Sequence, residues 1–306
     1  MVNGSGRGGW YEVTSRGKKV RLKVYVSREY PTWDPAINRS WAQQIADMPH
    51  GPEISKLTVY IAPFSEITSD SVCGSQADSC YYPDDATMYL SGETPPDQAD
   101  MTQVAMHEYG HHVANFRSNV PWDSVNWGPK YWATAQGVCS LTRQQLMWPT
   151  DPTGHYEDHP GEIWAETYRI VASKAMNITP DPWEILSARW DPLARNDLLS
   201  AAGRDVSFPW QGPKKRVVTG RLAATGAQSA VYRLPLILDG QVKASLNTSG
   251  GLKATVMLTS STGEPLSGRS TSSVKWTACG TGSVSAVVNR TGGKGAWTLT
   301  LQHPGT

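Results

Sequence analysis

Val20, Leu22, Val24 and Val26 alternate with Arg21, Lys23 and Tyr25. A period of two sends alternate side chains to opposite faces, which predicts a β-strand with one buried face. Ile37, Trp41, Ile45 and Met48 recur at helical spacing instead, so Pro35 to Met48 reads as an amphipathic helix. Two more short strands are predicted at Leu57 to Ala62 and Thr87 to Ser91. Pro95 and Pro96 then break the chain, and Asp100 with Gln103 has the spacing of a capping box. A helix is expected from there to Phe116. A connection rich in Trp, Gly and Pro follows to Pro160, and a second helix is expected from Gly161 through Lys174. Asp181-Pro182 and Asp191-Pro192 each set an N-cap residue before a proline, which predicts two further helices.

The pattern changes after Ala202. Residues 203–216 hold glycine, two prolines and the basic run Lys214, Lys215, Arg216, read as a solvated linker. Beyond it the chain is rich in Thr, Ser, Val and Gly. Short strands are predicted at Val217 to Arg221, Ala230 to Leu234, Gln241 to Leu246, Ala254 to Leu258, Ser283 to Val288 and Trp297 to Leu301. Turns such as Asp239-Gly240 and Gly292-Gly293 separate them. This spacing suggests a β-sandwich. The expected organisation is a flexible leader over 1–9, a mixed α+β domain over 10–205, a linker over 206–216 and a sandwich over 217–304.

Composition narrows the picture. Charged residues make up 18% and apolar residues 39% of the 306 positions, enough for a folded core. The net charge is +1, so nothing points to nucleic acid or an anionic surface as main partner. No apolar run approaches the roughly 20 residues that span a bilayer. The leader Met1 to Gly9 is glycine-rich and lacks the apolar stretch of a signal peptide. Four cysteines form no CxxC pair, which argues against a cysteine-held zinc. Cys73 and Cys80 lie in a polar stretch and are expected to close a short disulfide loop. Cys139 and Cys279 either bridge two domains or stay free and buried.

The chemistry is carried by His107-Glu108-Tyr109-Gly110-His111. Residues four apart share a helix face, so His107 and His111 can grip one metal ion from the same side. Glu108 lies beside that face, within reach of a water on the ion. Zinc suits imidazole ligands and keeps an open position when the protein supplies three. Such an ion lowers the pKa of water to about 7, and a carboxylate can take its proton. A third histidine six residues after His111 would mark another zinc peptidase branch, but Arg117 stands there, and Ala114 replaces the glycine that branch requires. Glu162 and Glu166 lie downstream, one turn apart on one helical face. One can bind the metal while the other accepts a hydrogen bond from a ligand histidine. His112 points about 100° away from His111 and reads as a packing or surface histidine rather than a ligand. Met101, Val104 and Ala105 read as core contacts.

The HEYGH sequence with the later Glu162-Ile163-Trp164-Ala165-Glu166, an ExxAE pattern, resembles the glutamate-zincin metallopeptidases. The motif separation resembles their lethal factor-like branch more than the thermolysin-like one. The resemblance implies a zincin-like domain with one Zn2+, held by His107, His111 and Glu162. It implies Glu166 as support behind the ligands. It also implies a tyrosine shortly before the third ligand that steadies the oxyanion. Tyr156 is taken for that role, although His155 stands at the family's offset and His159 is a further imidazole nearby. By the same resemblance, the strand near Met88 to Ser91 is a candidate edge for an extended substrate.

The C-terminal strands, ending in Gly295-Ala296-Trp297-Thr298-Leu299-Thr300-Leu301, resemble the bacterial pre-peptidase C-terminal β-sandwich. That resemblance implies a secreted bacterial enzyme whose last domain binds a surface or substrate, or only stabilises. The expected function is a zinc endopeptidase with Glu108 as general base and a peptide or protein as substrate. Two alternatives differ in class. One is a zincin-fold binding or adhesion protein without turnover, against which the intact Glu108 argues. The other is a zinc amidohydrolase acting on a non-protein amide.

Overall fold

The computed structural model describes residues 6–305 apart from 76, 95–99, 152 and 181–188. The chain divides into two compact units. One comprises Met1–Ser118, Asp123–Ala135 and Gln145–Pro209; the other comprises Asn119–Trp122, Gln136–Gln144 and Trp210–Thr306. The Pro95-Pro96 break and the helix expected after Asp181 lie outside the described residues. No helix among the described residues is long and apolar enough to cross a membrane.

The first unit is mixed α/β. Strand β1 (Gly6–Ser15) pairs antiparallel with β2 (Lys18–Ser27). Helix α1 (Pro35–Asp47) follows, then a 3-10 turn at Pro52–Lys56, β3 (Thr58–Ala62) and the short α2 (Phe64–Ile67). Strands β4 (Ser79–Tyr82) and β5 (Thr87–Ser91) complete a five-stranded sheet of order β1-β2-β3-β5-β4. β5 is parallel to β3 and antiparallel to β4. The strand expected to offer an edge is therefore paired on both sides. The edge on that side of the sheet belongs to β4, which the polar cysteine stretch concealed.

Two expectations near the start change. The glycine-rich leader enters β1 from Gly6 onward. A Cβ at Gly8 would fall 2.1 Å from the Val24 carbonyl oxygen and 2.6 Å from Asn38 Nδ2. Glycine is what lets the strand lie flush there. α1 begins where predicted, with Asp34 accepting from the Ala36 amide at 2.9 Å. Its buried face, however, carries Asn38, Ala42, Ile45 and Ala46, while Ile37 is exposed. Asn38 Nδ2 donates to Val24 and Arg7 carbonyls at 3.0 and 3.1 Å, and its Oδ1 accepts from Trp33 Nε1 at 2.7 Å. A fully satisfied buried amide rotated the helix away from the face that hydropathy favoured.

Helix α3 (Met101–Asn115) is capped by Asp100, which accepts from the Thr102 amide at 2.9 Å. The Gln103 side chain reaches Thr179 and Arg169. The long Trp-rich connection holds three helices that the sequence pattern did not show: α4 (Ser124–Trp127), α5 (Lys130–Gln136) and α6 (Val138–Arg143). They are too short for a legible period. Their boundaries are set by Asp123, which caps α4 through the Asn126 amide at 2.8 Å, and by Gly137 in the left-handed region. A 3-10 turn at Tyr156–Asp158 leads into α7 (Pro160–Met176). Asp191-Pro192 makes a turn in which Asp191 accepts from the Leu193 amide, and α8 (Asn196–Ser207) starts only afterwards.

The second unit is an antiparallel sandwich. Its strands are β6 (Lys214–Leu222), β7 (Ser229–Leu236), β8 (Gly240–Ser249), β9 (Lys253–Ser260), β10 (Ser273–Ala278), β11 (Gly282–Gly292) and β12 (Gly295–His303). One sheet has the order β10-β8-β12-β6 and the other β7-β11-β9. Alternate residues such as Val242, Ala244 and Leu246, or Trp297, Leu299 and Leu301, meet Val256, Leu258, Val284 and Val288 in one core. The basic run Lys214–Arg216 opens β6 and pairs with residues 301–303 of β12. β10 was not among the expected strands, although Val274, Trp276 and Ala278 alternate with Lys275 and Thr277. Cys139 is bonded to Cys279, and both belong to this unit. Arg143 also donates to the Thr277 carbonyl at 2.9 Å.

Candidate metal centre

Helices α3 and α7 cross at close range, and the motif residues between the candidate ligands make that possible. A Cβ on Gly110 would collide with the backbone of Ala165. Trp164 Nε1 donates to the Gly110 carbonyl at 2.7 Å, tying the crossing together. Behind α3, a buried network fixes its rotation. Glu53 accepts from Arg117 at 2.9 Å, from Tyr109 at 3.3 Å and from the Gly51 amide at 2.6 Å. Asn115 donates to the Tyr81 hydroxyl at 2.9 Å, so that hydroxyl donates onward to His112 Nδ1 at 3.0 Å. His112 Nε2–H then donates to the Glu53 carbonyl at 3.0 Å. Burial pulls the His112 pKa down to about 4, so this imidazole is neutral. Of the packing and surface alternatives, its burial makes it a packing residue.

The opposite side of α3 faces α7. His107 Nε2 lies 3.2 Å and His111 Nε2 3.3 Å from Glu162 Oε2. Side-chain exposures are 4, 12 and 14% for His107, His111 and Glu162, an enclosed spot with one side still open. The three residues form the His–His–Glu group able to hold a metal ion, with ligand atoms within 4.8 Å of one another. The distances test the fit. A tetrahedron with bonds of about 2.0–2.1 Å to its centre has edges of about 3.3–3.4 Å. The 3.3 Å edge falls in that range and the 3.2 Å edge just short of it.

Electrostatics agree with the geometry. Burial alone would depress His107, yet the nearby carboxylates of Glu162, Glu166 and Glu108 raise its pKa to about 10. Burial would raise Glu162, yet His111 and His107 hold its carboxyl well below the usual range. Three carboxylates around one buried imidazole create a site that favours a cation.

The supporting residues are close by. Glu166 Oε2 lies 3.8 Å from His107 Nδ1. Its carboxylate is gripped by Arg169, with Nε at 3.0 and 2.9 Å from the two oxygens. Arg169 was not singled out from the sequence, although its i,i+3 spacing from Glu166 was a usable signal. Glu108 is buried, and Ser79 donates to its Oε1 at 2.6 Å. Ser79 was also missed, because β4 was.

The three downstream candidates separate. Tyr156 is part-exposed, and its ionisation is opposed first by burial, then by the charges of Glu162 and Glu108. The phenol therefore faces the same carboxylates as the ligand group. His155 stacks on Trp148 at 4.2 Å between ring centroids and has Asp151 at 3.9 Å. His159 is buried at the start of α7, with Nε2 3.3 Å from the Pro149 carbonyl. Burial lowers its pKa.

The first unit is thus a mixed α/β fold carrying a buried group able to hold a metal, and the second is a two-sheet antiparallel sandwich. No known family model matches the chain. No curated protein matches it. Among solved structures, the pre-peptidase C-terminal domain of a collagenase from Bacillus anthracis is similar at 16% identity, over 28% of this chain and 88% of that chain, with a TM-score of 0.25.

Proposed function

We propose that the first unit is a zinc-dependent endopeptidase of the glutamate-zincin type, with His107, His111 and Glu162 as ligands of one Zn2+. The observation that carries this reading is the pair of near-tetrahedral edges between Glu162 Oε2 and the two imidazole nitrogens, with the Glu108 charge acting on His107. Two nitrogens and one carboxylate oxygen are a donor set that suits zinc with a position left open. When bound, the ion supplies Lewis acidity, which polarises a carbonyl and makes water easier to deprotonate.

Every other step belongs to the chain's own residues. Glu108 takes the proton of the attacking water and returns it to the leaving nitrogen. Tyr156 donates a hydrogen bond to the oxygen on which charge develops. Glu166, anchored by Arg169, holds the His107 ring in place. The two disulfides fit an extracytoplasmic location, where such bonds persist.

Elemental analysis joined to digestion of a broad peptide library tests the proposal. The expected result is about one zinc per chain, with cleavage by the wild type and none by Glu108→Gln of equal zinc content. Full zinc occupancy without cleavage of any peptide would sink the peptidase reading.

A further inference from the structure

Strand β4 and helix α3 meet along two short rows. Strand residues alternate in direction, so Ser79 and Tyr81 share one face of β4 while Cys80 and Tyr82 share the other. Ser79 donates to Glu108 Oε1 at 2.6 Å, and Tyr81 hydrogen-bonds His112 Nδ1 at 3.0 Å. Glu108 and His112 are one helical turn apart, so the strand face matches the helix face.

The other face of β4 is locked. Cys80 is bonded to Cys73, and both pack against Tyr60, Ile67, Val72 and Tyr89. Tyr82 donates to the Val72 carbonyl. A four-residue strand paired on one side only would otherwise be prone to fray. The disulfide holds it in register beside α3.

At 2.6 Å, a hydroxyl bonded to a carboxylate is in the range of a strong, charge-assisted contact. Glu108 Oε2 has no hydrogen bond among the described residues. One oxygen of the base is held and the other is left for the proton. We propose that Ser79 is a positioning residue for Glu108, carried on a strand that the Cys73–Cys80 bond anchors. This inference rests on the reading of Glu108 as general base.

The test compares Ser79→Ala, Ser79→Thr and Glu108→Gln with the wild type. Each is measured for kcat, KM and zinc content, and Ser79→Ala is crystallised. Removing the hydroxyl should lower kcat about tenfold or more, the usual scale for residues that orient a reacting group. KM and zinc content should hold, and Glu108 should occupy more than one rotamer in the crystal. Ser79→Thr, which keeps the hydroxyl, should recover most of the rate. If Glu108→Gln cleaves like the wild type, the base itself is misassigned. If Glu108→Gln is inactive, the base stands, and three results overturn Ser79 alone: a Ser79→Ala rate equal to wild type, a Ser79→Ala protein that loses zinc, or Ser79→Thr as impaired as Ser79→Ala.

Discussion

A methyl group placed on Gly110 would lie 2.8 Å from the Ala165 Cα and 3.1 Å from its carbonyl oxygen. Gly110 sits one residue before His111 of the candidate metal group, and Ala165 one residue before Glu166. The spacing of α3 and α7, and hence the edge from His111 to Glu162, is set by this contact. Gly110→Ala should force the helices apart and cost about 1–3 kcal/mol, the usual range for overpacking. Zinc affinity should fall as well, although no ligand is touched. Chemical denaturation and metal titration of the variant check both effects. Unchanged zinc binding would mean that the helix spacing does not control the site.

The two ring nitrogens converge on a single oxygen of Glu162. Glu162→Gln keeps the shape of the side chain and removes its charge. Zinc retention during dialysis against a chelator should drop by about a hundredfold or more, as expected for losing an anionic ligand. His112→Gln should keep its zinc, because that ring faces Tyr81 and Glu53 on the other side of α3. Equal retention in the two variants would move the ligand assignment to Glu166.

His112 offers a pH test. Its pKa is about 4 in the fold against 6.5 in the unfolded chain. Between those values the unfolded chain binds one more proton, so stability is fully present above pH 6.5 and is lost as pH falls toward 4. The loss should amount to about 3 kcal/mol. Metal-free wild type and His112→Gln, unfolded in denaturant at several pH values, isolate the effect. The variant should lack this part of the slope. Parallel profiles would mean that His112 is not buried as a neutral ring.

Tyr156→Phe removes one hydrogen-bond donor and leaves the ring. Cleavage should slow by about 10²–10³ in kcat, the range for losing a donor to a developing oxyanion. KM should change little. The same substitution in His155 should have no such effect, since that ring stacks on Trp148. A normal kcat for Tyr156→Phe would return the role to another donor.

The helix that carries the candidate ligands was legible because its parts are local. Asp100 caps it, the four-residue spacing of His107 and His111 defines a face, and Glu162 and Glu166 repeat that spacing on a second helix. The sandwich strands with clean alternation were legible too, as at Trp297, Leu299 and Leu301. What stayed hidden depends on distant partners. Asn38 is buried because β1 and β2 present carbonyls to it. β4 became a strand through its pairing with β5 and its disulfide, and Ser79 was lost with it. Helices α4 to α6 are shorter than two full periods of any hydrophobic pattern, so only their caps could have marked them.

The bond between Cys139 and Cys279 closes a ring across a sequence separation of 140. Helix α7, with Glu162, lies inside that ring, as does the whole crossing from α8 into β6. A protease that cuts the backbone between α8 and β6 would therefore produce two polypeptides but not two molecules. The fragments would part on a reducing gel and travel as one species on a non-reducing gel. Maturation by a single cut there would open the chain without releasing the sandwich. Release would need a reductant as well, because the Cys139–Cys279 bond would still join the two fragments.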